Sequence, residues 1–112
     1  MRVLASYAPW IGVDLDGTLA HKSDDWKGPE FIGEPIWNMV NHVKRLLRSG
    51  ETVKVFTARA VDPEAIQYVQ DWLENEADLP RLEVTNEKDP GMTLLYDDRA
   101  KQVVPNKGII VE

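Results

Sequence analysis

The chain contains no cysteine, which removes disulfides, thiolate metal sites and cysteine nucleophiles together. It has only two histidines, His21 and His42. A histidine-rich zinc centre is therefore excluded, and any metal site must be built mainly from oxygen, the donor that suits hard cations such as Mg²⁺. No apolar run approaches the roughly 20 residues of a membrane-spanning helix. The segment Met1 to Pro9 is too short and too weakly apolar to read as a secretory signal. Both absences lead to the expectation of a cytoplasmic protein that does not bind a membrane. Positive charge is also scarce: 13 Lys and Arg against 19 Asp and Glu give a formal net charge of −6. Such a surface repels nucleic acid and anionic lipid, although it leaves room for a local basic pocket.

What is present suits one soluble domain. The 112 residues are 43% hydrophobic and 29% charged, in the range of an ordinary globule with a single core. The reading is one domain over 1–112, with 1–9 as an extension that either adds a strand or frays.

Trp10-Ile11-Gly12-Val13 is a short apolar run that stops at Asp14, which reads as a buried strand. Gly17 signals a sharp turn, and the polar stretch His21 to Gly33 reads as a loop or loose hairpin. Pro35 suits a first helical position. Ile36, Met39, Val40, Val43, Leu46 and Leu47 then recur at three- and four-residue spacing and make one apolar helix face. Gly50 is the expected stop. Thr52 to Phe56 alternates as a second strand and ends at Thr57. Asp62-Pro63 opens a second helix, whose buried face is Ile66, Val69, Trp72 and Leu73. Leu82 to Val84, Met92 to Tyr96 and Gly108 to Val111 read as further strands. Strands alternating with helices predict an α/β, three-layer Rossmann-like fold with a mainly parallel central sheet.

In such a sheet, ligands bind beyond the carboxyl ends of the strands. Three apolar strands here end in reactive polar groups: Asp14 and Asp16, then Thr57, then Asp97 and Asp98. One acidic pair is what a turn or a helix cap also leaves. Three strand ends meeting in one crevice are harder to explain that way. Carboxylates gathered in one crevice repel each other. A divalent cation relieves that repulsion and neutralises an incoming phosphate. One aspartate can then attack phosphorus, while a second acid transfers protons. A hydroxyl and a lysine can hold the non-bridging oxygens.

Four segments of the chain resemble the motifs of a known family. Trp10-Ile11-Gly12-Val13-Asp14-Leu15-Asp16-Gly17-Thr18-Leu19 resembles the first motif of the haloacid-dehalogenase-like superfamily, and Val55-Phe56-Thr57-Ala58-Arg59 resembles the second. Asn86-Glu87-Lys88-Asp89-Pro90 supplies a candidate third-motif lysine. Leu94-Leu95-Tyr96-Asp97-Asp98-Arg99 resembles the acidic fourth motif. The match spans about residues 10 to 112. The resemblance implies Asp14 as nucleophile and metal ligand. It implies Asp16 as general acid/base, with its carbonyl on the metal. Thr57 and Lys88 would bind the phosphoryl group, and Asp97 and Asp98 would complete the Mg²⁺ shell. The acid at position 16 favours phosphatase over dehalogenase chemistry. The Lys88 to Met92 segment is shorter than the helix that often follows this lysine. Arg59 is a candidate substrate contact.

Members of this family usually carry a cap domain. Thr18 to Glu34 has room only for a flap, and the 30 residues between Thr57 and Lys88 are taken by a helix and a strand. The expectation is a minimal, capless member, similar to phage hydrolases of this superfamily. The predicted function is Mg²⁺-dependent hydrolysis of a phosphorylated small molecule through an aspartyl-phosphate on Asp14. Two alternatives stand beside it. One is a nucleic-acid end-processing 3′-phosphatase, since Thr57-Ala58-Arg59 and Asp97-Asp98-Arg99 resemble the phosphatase half of phage polynucleotide kinases. The other is a metal-binding regulatory module with little turnover. In the flap, Trp26 is read as a loop anchor and His21 as solvated. His42 is read as surface, and Trp37 and Trp72 as packing residues. No apolar stripe marks an oligomer interface.

Overall fold

Four short strands form the sheet among the described residues, built mostly from the apolar and β-branched side chains that suit a pleated surface. They are β1 (Trp10–Val13), β2 (Val53–Phe56), β3 (Val84–Thr85) and β4 (Met92–Tyr96). The computed structural model describes residues 7–112. All pairings are parallel, in the order β3-β2-β1-β4. β1 therefore lies inside the sheet, and all four of its residues are buried, which explains its unbroken apolar run. Residues 1–6 lie outside the described residues, and 7–9 form no strand.

Among the described residues, two helices complete the Rossmann-like α/β architecture: α1 (Trp37–Arg48) and α2 (Pro63–Asn75). Asp62 caps α2 by accepting the Glu64 N–H at 2.9 Å, with Pro63 at the first helical position. Ile11 pairs with Val53 and Val13 with Val55, so these four side chains share one sheet face. Val40 and Val43 of α1 join Val69, Trp72 and Leu73 of α2 in one core with Val13, Val53 and Val55. On the opposite face the Trp10 ring packs across Gly12, and Lys54 sits 4.6 Å above that ring. Leu73 is fully buried, so Leu73→Ala should cost about 2–5 kcal/mol. Urea unfolding should show a lower midpoint at unchanged slope. A loss below roughly 0.5 kcal/mol, the scale of a surface substitution, would contradict this packing.

Several elements differ from the sequence reading. α1 starts at Trp37, because Pro35 is taken by a bridge to Ala20. β3 is only two residues long and begins at Val84; Leu82 is buried ahead of it. Gly108 to Val111 adds no strand to the sheet. The chain turns back at Pro105-Asn106, where Asn106 has φ 64°, and Ile110 bridges to Val103 instead. β4 matches its expected bounds. It carries one extra residue, Thr93, at an irregularity opposite Trp10 and Ile11, the signature of a bulge.

Candidate functional site

β1, β2 and β4 run in the same direction, so their carboxyl ends open on one side. Asp14 follows β1 directly, and its N–H donates to the Tyr96 carbonyl at 2.9 Å. Thr57 follows β2, and its N–H donates to the Thr85 carbonyl at 2.9 Å. Asp97 and Asp98 follow β4. The Arg99 N–H donates to Asp97 Oδ1 at 2.7 Å, a local turn that fixes that carboxylate.

Asp14, Asp97 and Asp98 each offer a carboxylate oxygen, and these atoms lie within 4.8 Å of one another. Three hard oxygen donors converging in this way suit a divalent cation. Thr18 ties the group together: its hydroxyl faces Asp98 Oδ1 at 3.2 Å and Asp14 Oδ2 at 3.5 Å. Gly17 makes the approach possible. Its φ is +92°, and a Cβ there would stand 2.6 Å from Asp98 Oδ2.

Crowding shows in the proton affinities. The Asp14 carboxyl is pushed up to about 7, first by burial, then by a hydrogen bond shared with Asp98 and by the charge of Asp97. Asp98 is held low, chiefly by that same hydrogen bond. Burial and crowding thus favour the proton on Asp14 over Asp98, which lies at the solvent. A cation that uses Asp14 must displace this proton. Its affinity should therefore weaken about tenfold per pH unit below about 7, with one proton released, and level off above. Titration calorimetry across that range in buffers of different ionisation enthalpy checks this. A pH-independent affinity would exclude Asp14 as a ligand.

Asp16 lies apart from that triad. Its carboxylate accepts a two-pronged bond from Arg59: Nε to Oδ2 at 2.8 Å and Nη2 to Oδ1 at 3.0 Å. Arg59 also donates to the carbonyls of Pro29 and Phe31, each at 3.1 Å, and lies 4.8 Å from the Trp26 ring. Arg59, expected as a substrate contact, is thus engaged with Asp16 and the flap. The Thr57 hydroxyl accepts the Arg59 N–H at 3.2 Å, which leaves its own O–H free to donate.

The flap runs over 21–34 without regular structure. Its base is closed by the His21 N–H on the Glu34 carbonyl at 2.8 Å and by the Trp72 indole N–H on the Gly33 carbonyl at 2.9 Å. Gly33 passes so close to the His21 carbonyl that a Cβ would collide with it. Under the flap lies a crevice of about 1020 Å³, whose lining includes Asp14, Asp16, Thr57 and Asp97 together with Trp26, Phe31, Phe56 and Val61. Lys22, Lys27 and Arg99 also line it.

Lys88 does not reach this crevice. It is exposed in the loop after β3. The next residue, Asp89, accepts the Trp10 indole N–H at 2.8 Å, which draws the loop to the start of β1, the far end of the sheet. His42 is not a surface residue. It is half-buried, with its ring edge against Tyr96 and Nε2 3.0 Å from the Tyr96 hydroxyl. Trp37 is half exposed beneath Lys44 rather than packed, whereas Trp72 is buried as expected. Thr18 was not singled out from the sequence as a site residue. Its signal there is a lone hydroxyl between Leu15 and Leu19, two fully buried leucines.

The fold has a solved counterpart. It is the conserved protein coded by a locus from Bacteroides thetaiotaomicron, 25% identical, matching 84% of this chain and 78% of that one with a TM-score of 0.60. No family model and no curated protein matches the chain. Among the described residues, no helix is long and apolar enough to cross a membrane.

Proposed function

We propose that the chain is a Mg²⁺-dependent phosphohydrolase of the haloacid-dehalogenase type that works through an aspartyl-phosphate on Asp14. The observation that carries this reading is the convergence of Asp14, Asp97 and Asp98 within 4.8 Å, beside the buried Thr57 hydroxyl. Asp14, Asp97 and Asp98 would hold the cation, which when bound neutralises the charge of the incoming phosphate and of its spreading negative oxygens.

The chain's own residues do the rest. An Asp14 oxygen attacks phosphorus as the ester P–O bond breaks, and Asp16 gives its proton to the departing oxygen. Water then attacks the aspartyl-phosphate and passes a proton to Asp16. The Asp14–phosphorus bond breaks, inorganic phosphate leaves, and both aspartates are restored. Thr57 donates its free O–H to a non-bridging oxygen. Besides Arg59, which Asp16 engages, the cations that line the crevice are Lys22, Lys27 and Arg99, and these would take the role that the resemblance implies for Lys88.

The crevice volume, about 1020 Å³, is at the upper end of the range for small-molecule sites. It supports a phosphorylated small molecule as substrate, in keeping with a net charge of −6 that disfavours a polynucleotide. The test is phosphate release from p-nitrophenyl phosphate, a panel of phosphomonoesters and a 3′-phosphorylated oligonucleotide, with Mg²⁺ and with EDTA. The expected result is Mg²⁺-dependent release from small esters. Release from the oligonucleotide alone would replace the substrate class, and no release from any would remove the enzymatic reading.

A further inference from the structure

We propose that Arg59 is the positioning residue of the site: one guanidinium orients the Asp16 carboxylate and, with its remaining N–H groups, holds the flap that walls the crevice. This rests on the phosphohydrolase reading, in which Asp16 moves the proton.

The geometry begins with the backbone. Thr57 closes β2 and caps the 3₁₀ turn Ala58–Val61 by accepting the Arg59 N–H. That turn aims the Arg59 side chain back across the crevice toward the loop after β1. A guanidinium has five N–H donors in a fixed plane. Here two of them fork onto the two oxygens of Asp16, and two more reach the carbonyls of Pro29 and Phe31. Trp26 then lies on the guanidinium face at 4.8 Å, within reach of a cation–π contact. The Arg59 side chain is 9% exposed, against 30% for Asp16. An ion pair this enclosed is not a loose surface contact.

The fork sets the plane of the Asp16 carboxylate but leaves it chemically competent. A carboxylate has about four lone-pair sites, and the fork takes two. Of the other two, one can carry the proton that Asp16 gives to the leaving-group oxygen, and either can later accept from the attacking water. An unforked aspartate beside the same crevice would turn about its χ angles, and proton transfer is sensitive to misplacement of that size. Lysine does not substitute, because a point-like ammonium cannot fork onto both oxygens. The two flap carbonyls share the same donor group, so removing the guanidinium should also loosen residues 22–31.

The test exploits leaving-group basicity. p-Nitrophenolate leaves with little help from an acid, whereas an alkoxide needs its proton. kcat/KM covers the steps up to that departure. Arg59→Met should lower kcat/KM on glycerol 2-phosphate by roughly 100-fold, the lower range of general-acid effects, and on p-nitrophenyl phosphate by less than about tenfold. Asp16→Asn should show the same asymmetry, and the asymmetry of the double variant should be no greater than that of Asp16→Asn alone. Arg59→Lys should keep most of the asymmetry while keeping the charge; it carries the comparison if Arg59→Met fails to fold. Trypsin should also cut Arg59→Met faster after Lys22 and Lys27. Equal losses on the two esters, or single-variant asymmetries that multiply in the double variant, would overturn the positioning role and leave the phosphohydrolase standing. A wild type inert on both esters would overturn both.

Discussion

Asp14→Asn should abolish turnover while making the metal-free protein more stable at alkaline pH. The activity loss should be on the order of 10⁴-fold or more, because an amide offers no nucleophilic oxygen and the covalent route is gone. The stability gain follows from the same residue. In the folded protein the Asp14 carboxyl titrates at about 7, and in the unfolded chain it titrates in the ordinary range near 3.8. Between those values the unfolded chain has already lost a proton that the folded protein still holds. Stability linked to this group is therefore complete below the ordinary value and is lost as pH rises through about 7. Asp98, held low, acts in the opposite direction and gives stability that is lost only on acidification. An asparagine carries no charge to repel Asp97 and Asp98, so the variant should melt higher than wild type at pH values above that of Asp14 and show little difference in acid. Thermal melts in EDTA at both pH values, alongside phosphate release, measure the two effects together. A variant that keeps wild-type turnover would remove Asp14 as nucleophile. One that melts lower in alkali would show that the acids do not crowd.

Gly17→Ala should eliminate cation binding and lower stability together. The backbone at Gly17 has φ +92°, where an L-residue is strained by about 1–3 kcal/mol. The added methyl would also meet Asp98 Oδ2 at 2.6 Å. Asp98 must then withdraw, and with it go the Thr18 bond and one of the three convergent oxygens. The protein should still fold, since Gly17 lies outside the core, with a lower melting temperature and no saturable binding of Mg²⁺ or Mn²⁺ by calorimetry. Binding as tight as in wild type would show that Asp98 is dispensable to the metal site.

The strand ends were the legible part of this molecule. An apolar run that stops dead at Asp14, Thr57 or Asp97 states both a buried strand and the polar group at its carboxyl end, because burial and backbone direction are set locally. The Asp62 cap and the β4 bounds were legible for the same reason. Lys88 was not legible. Its place is set by Asp89, one residue on, which bonds to Trp10 at the other end of the chain segment, and no local pattern encodes that pairing. The tail from Gly108 to Val111 has a strand's composition, but Pro105 and Asn106 fold it back onto Val103. The Arg59 fork likewise joins residues 43 positions apart. Spacing offered Arg59 as a neighbour of Thr57, whereas the fold made it the partner of Asp16. Thr18 escaped notice because its value lies in two carboxylates, one of them 80 positions away.

The most direct measurement is mass spectrometry of the protein after acid quench during turnover of p-nitrophenyl phosphate, with peptide mapping of the covalent phosphate. The expected result is a phosphoryl group on the peptide that carries Asp14, formed with Mg²⁺ and absent with EDTA or in Asp14→Asn. Steady turnover with no phosphorylated enzyme, or with phosphate on another residue, would contradict it.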